Sequence, residues 1–273
     1  MALSIENSLE NKLKVDLNQP LLLDQINQQL QQLPDPRQIT ADVEELEMMG
    51  KKLPPQLAIK VTSHINPTQK RKVIVKVGPM GKMTMARSLM AMNVTIINTT
   101  SDAQVFIDWD KSSVTAGTSR QTQRVVRSGI PISGDLSRSQ VLSVINPGET
   151  FSTQVTGENR LSLDAESRTL TPGRPLINMQ EVATFISLFM EDMEEGEEIP
   201  PVMAYSLGLM VGIRQITHDQ TNHTAYLLLP FAFQAILLPD EIAFPPLRWL
   251  LNRPRPASPR DALSTLILGR PKL

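Results

Sequence analysis

The sequence predicts a mainly β protein built as an antiparallel β-sandwich, and three observations carry that prediction. From Pro55 onward the apolar residues recur with a period of two. Candidate strands succeed one another at a spacing of roughly 8–12 residues, with Pro, Gly and Asn turns between them. Proline is abundant, 21 in 273 residues, which favours turns and sheet edges over long helices.

Before that point the pattern reads as helical. Ile5, Leu9 and Leu13 recur every four residues, as do Leu22, Ile26, Leu30 and Leu33 in LLLDQINQQLQQL. Pro34 and Pro36 stop the second helix. Thr40 is placed to cap a third, with Asp42, Glu44 and Glu45 in its first turn and Gly50 at its exit. Short amphipathic helices need a surface to pack on. Residues 1–54 are therefore expected to form a helical N-terminal arm.

The strands follow in order. LAIKVTS, RKVIVKVG, NVTIINTT and AQVFIDWD come first, the last two joined by a tight turn at Ser101-Asp102. Val105, Ile107 and Trp109 share one face of AQVFIDWD. TQRVVRS, SQVLSVIN, ETFSTQV and NRLSLD come next, with turns at Asn146-Pro147-Gly148 and Gly157-Glu158-Asn159. Two long strands, AYSLGLMVGIRQI and TAYLLLPFAFQAILLP, close the series. The phrases INTTSDAQVFIDWD and VINPGETFSTQV resemble an immunoglobulin-type sandwich in texture, which implies two packed sheets. The Cys…Trp…Cys spacing of true immunoglobulin domains is absent. A likeness of fold supplies no function.

Two segments depart from the β pattern. MQEVATFISLFMED reads as a helix, with Val182, Phe185, Ile186, Phe189 and Met190 as its apolar stripe. It runs into the carboxylates Glu191, Asp192, Glu194, Glu195, Glu197 and Glu198. Clustered like charges repel, so 191–198 is expected to be an exposed acidic loop. Beyond it, the tail is Pro-rich and basic. Ser258-Pro259-Arg260-Asp261 starts a short helix near 259–268 with Leu263, Leu266 and Ile267 on its apolar face. The expected organisation is an arm over 1–54, a sandwich-like domain over 55–240 and a tail over 241–273.

Composition bounds the chemistry. The chain has no cysteine, which removes disulfides, thiolate metal sites and cysteine nucleophiles. Aromatics are 4% and methionines number 13, so the core must be aliphatic with Met as filler. MALSIENSLENKLKV lacks the pattern of a secretory signal. The longest apolar run, Ala225 to Pro239, is interrupted by Pro230 and falls short of the roughly 20 residues a spanning helix needs. These features favour the cytoplasm. The glycosylation-like triplets at Asn93, Asn98 and Asn222 then read as polar strand and turn residues.

Charge is sorted into blocks. Residues 1–47 carry net −6, 48–138 net +10, 139–201 net −8 and 202–273 net +3. No Asp or Glu lies between Glu47 and Asp102. Segregated charge points to faces that meet each other or a partner.

Candidate chemistry is thin. Gly78-Pro79-Met80-Gly81-Lys82-Met83-Thr84 follows a strand like a P-loop, but has two residues between its glycines and Met83 after the lysine. It reads as a turn. His218, Asp219 and His223 share one connection and are weak metal candidates, fewer than the three or four fixed ligands a site needs. Asp108 and Asp110 lie opposite Trp109, as on any solvated strand. Lys70, Arg71 and Lys72 head a basic cluster with no aromatics interleaved for base stacking, so nucleic acid is disfavoured.

The leading expectation is a non-catalytic interaction or assembly module without cofactor, meeting a protein partner or a second copy. Its interaction residues are the six carboxylates of 191–198, Lys70, Arg71, Lys72, and Phe244, Arg248 and Trp249 of the tail. One alternative is a peripheral membrane accessory docking through the 242–255 Phe/Trp/Arg segment. A second is an enzyme whose site forms only in three dimensions, although no catalytic motif is present.

Overall fold

The computed structural model describes residues 12–33, 39–48, 50–62, 70–84, 88–116, 121–128, 139–164, 166, 170–191, 202–216 and 224–238. The chain divides into a unit of Leu13–Leu237 and a second of Met1–Lys12 with Leu238–Leu273. Almost all described residues belong to the first.

The elements run in order as β1 (Lys12–Leu17), α1 (Gln19–Gln31), β2 (Ile39–Glu44), β3 (Glu47–Met48), β4 (Lys51–Lys52), β5 (Gln56–Thr62) and β6 (Lys70–Gly78). Then come β7 (Gly81–Thr84), β8 (Met92–Asn98), β9 (Ala103–Ala116), β10 (Thr122–Arg127), β11 (Ser143–Ile145) and β12 (Thr150–Gly157). The last are β13 (Leu161–Leu163), β14 (Leu170–Pro172), α2 (Met179–Glu191), β15 (Val202–Gln215) and β16 (Thr224–Leu237). The protein is mainly β, and every strand expected from residue 55 onward is present.

Two expectations are corrected. The helical N-terminal arm is not formed over the described residues. Leu13, Val15 and Leu17 alternate inward on β1, which pairs antiparallel with β16, Val15 opposite Ala235. Thr40 caps no helix. Ile39, Ala41 and Val43 alternate with Thr40, Asp42 and Glu44 on β2, which pairs with β5. Gly50 instead turns the β3–β4 hairpin at φ +73, a conformation other residues adopt at a cost. Only α1 survives of the arm, its Leu22, Ile26 and Leu30 buried as the spacing predicts. Asn18 caps it, its Oδ1 accepting from Leu21 N at 3.1 Å.

The second correction concerns the sandwich. The strands do not form two separate sheets of immunoglobulin type. Twelve of the described strands form one curled antiparallel sheet, a half-barrel, in the order β2-β5-β6-β8-β12-β10-β9-β15-β16-β1-β7 with β11 also on β9, while β3–β4 and β13–β14 are separate two-stranded pairs. The reason is β10. Its Thr122–Arg124 pair with β9, and its Val125–Arg127 pair with β12. One strand thus hands the ladder from one half to the other, and the hydrogen bonding is unbroken.

Curling turns one face inward. Leu57, Ile59, Val73, Val75, Val94 and Ile96 from one half meet Ile107, Trp109, Val211, Leu229 and Phe231 from the other in one core. α1 packs on both β2 and β16. Its Leu22 and Ile26 are fully buried there. The helix α2 packs on β16 with Val182 and Ile186 buried and Phe185 half-buried. Ahead of it, Leu89 and Ile177 exchange two backbone hydrogen bonds, 2.9 and 3.0 Å. The short tail helix expected near 259–268 lies outside the described residues.

Candidate interaction surfaces

The outward side of the first half is polar. One row crosses it as Glu44, Gln56, Lys76, Thr95 and Ser152, given by the pairings Glu44–Gln56, Lys76–Thr95 and Thr95–Ser152. The row beside it is apolar, Ala58 opposite Ile74, and the row beyond holds Lys60 opposite Lys72. Here the charge blocks meet within one chain. Lys72 Nζ lies 2.6 Å from Glu44, and Lys60 Nζ 3.3 Å from Asp42. Both bridges join the acidic block of 1–47 to the basic block that follows. Glu44 is held below the usual glutamate range, chiefly because Lys72 donates to it, against the opposing pull of burial.

Arg124 makes the next join. It sits between Asp110, at 3.3 Å, and Glu158 of the following acidic block, at 3.1 Å. Asp110 also accepts from Gln140 N at 2.9 Å, and Asp108 pairs with Lys111 at 3.1 Å. The two aspartates opposite Trp109 therefore serve as ion-pair partners on the strand surface. Trp109 itself is fully buried. Its Nε1 donates to Ser143 Oγ at 3.0 Å, and Arg127 lies 5.5 Å over its ring while donating to the same Oγ at 3.2 Å. Burial lowers the affinity of Arg127 for its proton.

The outward side of the second half carries the apolar surface. Val144 pairs with Phe106, Phe106 with Gly212 and Gly212 with Tyr226, one row across four strands. Tyr226 is 58% exposed and Val144 46%. The next row adds Met210 and Leu228, the latter 38% exposed. Leu142 and the still more exposed Val141 extend the strip past β11. Gly212 keeps the row flat. A Cβ there would stand 3.1 Å from Tyr226 Cε1 and 3.3 Å from Thr224 Cγ2. Cations bracket the strip, Arg214 at 4.8 Å over Phe106 and Lys111 at 5.9 Å over Tyr226.

A cleft opens on the polar face beside the β6–β7 turn. Leu46, Leu53, Pro54, Pro55 and Met80 wall it, with Gln56, Lys76, Asn93 and Thr95 along its floor. Gly78, Pro79 and Gly81 form the turn expected in place of a P-loop, the Gly78–Pro79 peptide being cis. Tyr205 Oη donates to Pro79 O from the core, its ring stacked on Phe233 at 4.6 Å. Burial pushes the Tyr205 phenol up.

Of the residues singled out from the sequence, Lys72 is engaged with Glu44, and Arg71 is half-buried on β6. Lys70 begins β6 and Glu191 ends α2, and their side chains lie outside the described residues. So do Asp192, Glu194, Glu195, Glu197, Glu198, the metal candidates His218, Asp219 and His223, and Phe244, Arg248 and Trp249. Among the described residues no group of three His, Asp or Glu side chains is arranged to hold a metal, and no helix is long and apolar enough to cross a membrane. Asn98 is fully buried, its amide donating to Ala103 O at 2.8 Å and Ile145 O at 3.1 Å, a structural corner in place of a glycan acceptor.

The strip of Phe106, Val144, Met210, Tyr226 and Leu228 was not among the sequence candidates. Its signal was present. Phe106 falls on the polar phase of AQVFIDWD, and Tyr226 and Leu228 fall out of phase with Leu227 and Leu229. The chain matches no protein-family model and no curated protein.

Proposed function

We propose that this protein is a non-catalytic assembly module that associates with a second copy of itself through the outer strip of β11, β9, β15 and β16. The observation that carries this reading is the row Val144–Phe106–Gly212–Tyr226, an aliphatic and aromatic stripe on a sheet face whose ends are half-exposed. Exposed contiguous apolar surface rimmed by polar groups marks interaction sites. Aromatics with a polar tip are the residues enriched at such contacts. A flat apolar face meets its own copy without needing a complementary pocket, as a two-fold contact requires.

Segregated charge supplies the second component. Arg214 rims the strip with a cation, and Lys111, paired with Asp108, lies at its other side. The acidic stretch from Glu191 to Glu198 gives the same chain an excess of the opposite sign. Two copies therefore offer each other both charges, and association weakens as salt screens them.

Light scattering across protein and salt concentration tests the reading. A mass above that of one chain that falls with added salt supports it. A single-chain mass at every concentration and salt contradicts it.

A further inference from the structure

We propose that the cleft beside the Gly78–Pro79 turn is a binding site for an organic acid with an apolar body. The cleft is open to solvent and offers about 350 Å³, within the range of small-molecule sites. Its two sides differ in chemistry. Leu46 and Leu53, 43% and 37% exposed, stand over it from the hairpin with Pro54 and Pro55, and Met80 closes one end. The floor offers the exposed Asn93 amide, the Thr95 hydroxyl and the Lys76 ammonium, while the Gln56 amide beneath them is buried and donates to Glu44.

Lys76 sets the sign of the ligand. The lysines two rows along the same face are matched, Lys60 by Asp42 and Lys72 by Glu44. Lys76 is exposed and has no carboxylate within 4.0 Å among the described residues. The carboxylate of its own row, Glu44, is committed to Lys72 at 2.6 and 2.9 Å and accepts from Gln56 at 3.3 Å. Among the described residues the cleft thus holds one cation without a carboxylate partner, between neutral polar groups and an apolar wall. A carboxylate accepts from Lys76 and the Asn93 amide, while its hydrocarbon covers Leu46 and Leu53. A cationic amphiphile meets like charge in the same place.

The cleft is also held in shape. Leu53 N donates to Leu46 O at 2.8 Å and closes the hairpin, Thr95 is bonded to Ser152 at 2.9 Å, and Tyr205 holds Pro79 from the core. A preformed site loses little ordering entropy on binding.

The test is a titration of the full chain with octanoate, acetate and octylammonium, followed by amide NMR shifts and calorimetry. Octanoate is expected to bind saturably and to shift the amides of Leu53, Gln56, Lys76 and Met80, while acetate and octylammonium leave them in place at the same concentration. Lys76→Ala is expected to weaken octanoate about tenfold, the loss of one charge-assisted hydrogen bond. Leu53→Ser is expected to weaken it as well, and Lys14→Ala, on β1 in the other half of the sheet, to leave it unchanged. All three side chains are at the surface, and circular dichroism checks that the fold is kept. Equal binding of octylammonium, octanoate affinity unchanged in Lys76→Ala, or shifts confined to other residues overturns the proposal.

Discussion

Gln29 binds the edge of β16 as a strand would: its Nε2 donates to Leu228 O at 2.8 Å, and Leu228 N donates to its Oε1 at 2.8 Å. β1 covers β16 only from Phe233 to Leu237. Where β1 ends, a side-chain amide from α1 takes over the pairing. Gln140 repeats the device at β10, donating to Val125 O at 2.7 Å and accepting from Arg127 N at 3.4 Å. Unpaired strand stretches invite association with other chains, and these amides cover stretches of β16 and β10 that the neighbouring strands leave unpaired.

Replacing Gln29 by Leu keeps the size of the side chain and removes both hydrogen bonds. The site is solvent-exposed, so water substitutes in part and the loss is about 1 kcal/mol. For a chain of this size that lowers Tm by about 2–4 °C. Hydrogen exchange at the Leu228 amide is expected to accelerate by more than the change in global stability accounts for. Unchanged exchange at Leu228 contradicts the assigned role.

The Glu44–Lys72 pair gives the protein an acid-sensitive component. Glu44 is held below its ordinary range in the folded chain, chiefly by the Lys72 hydrogen bond. A group whose folded pKa is depressed stabilises above its unfolded value, about 4.3 for glutamate, and that stability is lost as pH falls through the folded value. Both side chains are partly exposed, 20% for Glu44 and 37% for Lys72, so the contribution is about 1 kcal/mol or less. Urea unfolding between pH 3 and 7 checks it. Glu44→Gln is expected to be less stable near neutrality and to lose less stability on acidification than the parent.

Ser143 accepts from two donors that have little else. Trp109 Nε1 is buried with the rest of its ring, and Arg127 Nη1 shares the same Oγ. Ser143→Ala strands the indole N–H without an acceptor, at a cost of about 1–3 kcal/mol. Denaturant titration is expected to show a lower midpoint at unchanged slope. Stability equal to the parent would mean that a relaxed backbone carbonyl replaces the hydroxyl.

Gly212 is expected to matter to association more than to folding. Its missing Cβ leaves the space over which Tyr226 lies. Gly212→Ala pushes the ring off the row, roughens the flat strip and costs the fold about 1 kcal/mol or less. Light scattering and thermal denaturation on the same sample separate the two effects. Weakened self-association with a near-parental Tm is the expected result.

Much of this was legible because local pattern decides it. Leu22, Ile26 and Leu30 announce α1, and Val105, Ile107 and Trp109 announce the inner face of β9. Leu13 was ambiguous, since one residue satisfies both a four-residue spacing from Leu9 and an alternation with Val15 and Leu17. Only the pairing with β16, more than two hundred residues away, resolves it. Thr40 failed for a similar reason. Acids in a first helical turn and acids facing lysines across a sheet look alike until Lys60 and Lys72 are placed beside them. The double pairing of β10 and the row through Gly212 and Tyr226 are registers between distant strands, which no local period encodes. The charge blocks were visible at once, but three of the described bridges tie them together within the chain, Asp42–Lys60, Glu44–Lys72 and Arg124–Glu158.

The most direct test of the assembly reading is sedimentation equilibrium on the parent chain, on Tyr226→Glu, and on a variant with the six carboxylates of 191–198 neutralised. The account predicts a parent heavier than one chain, a single-chain mass for Tyr226→Glu with its fold intact, and weakened, less salt-sensitive association for the neutralised variant. A parent that sediments as a single chain, or a Tyr226→Glu variant that associates like the parent, contradicts it.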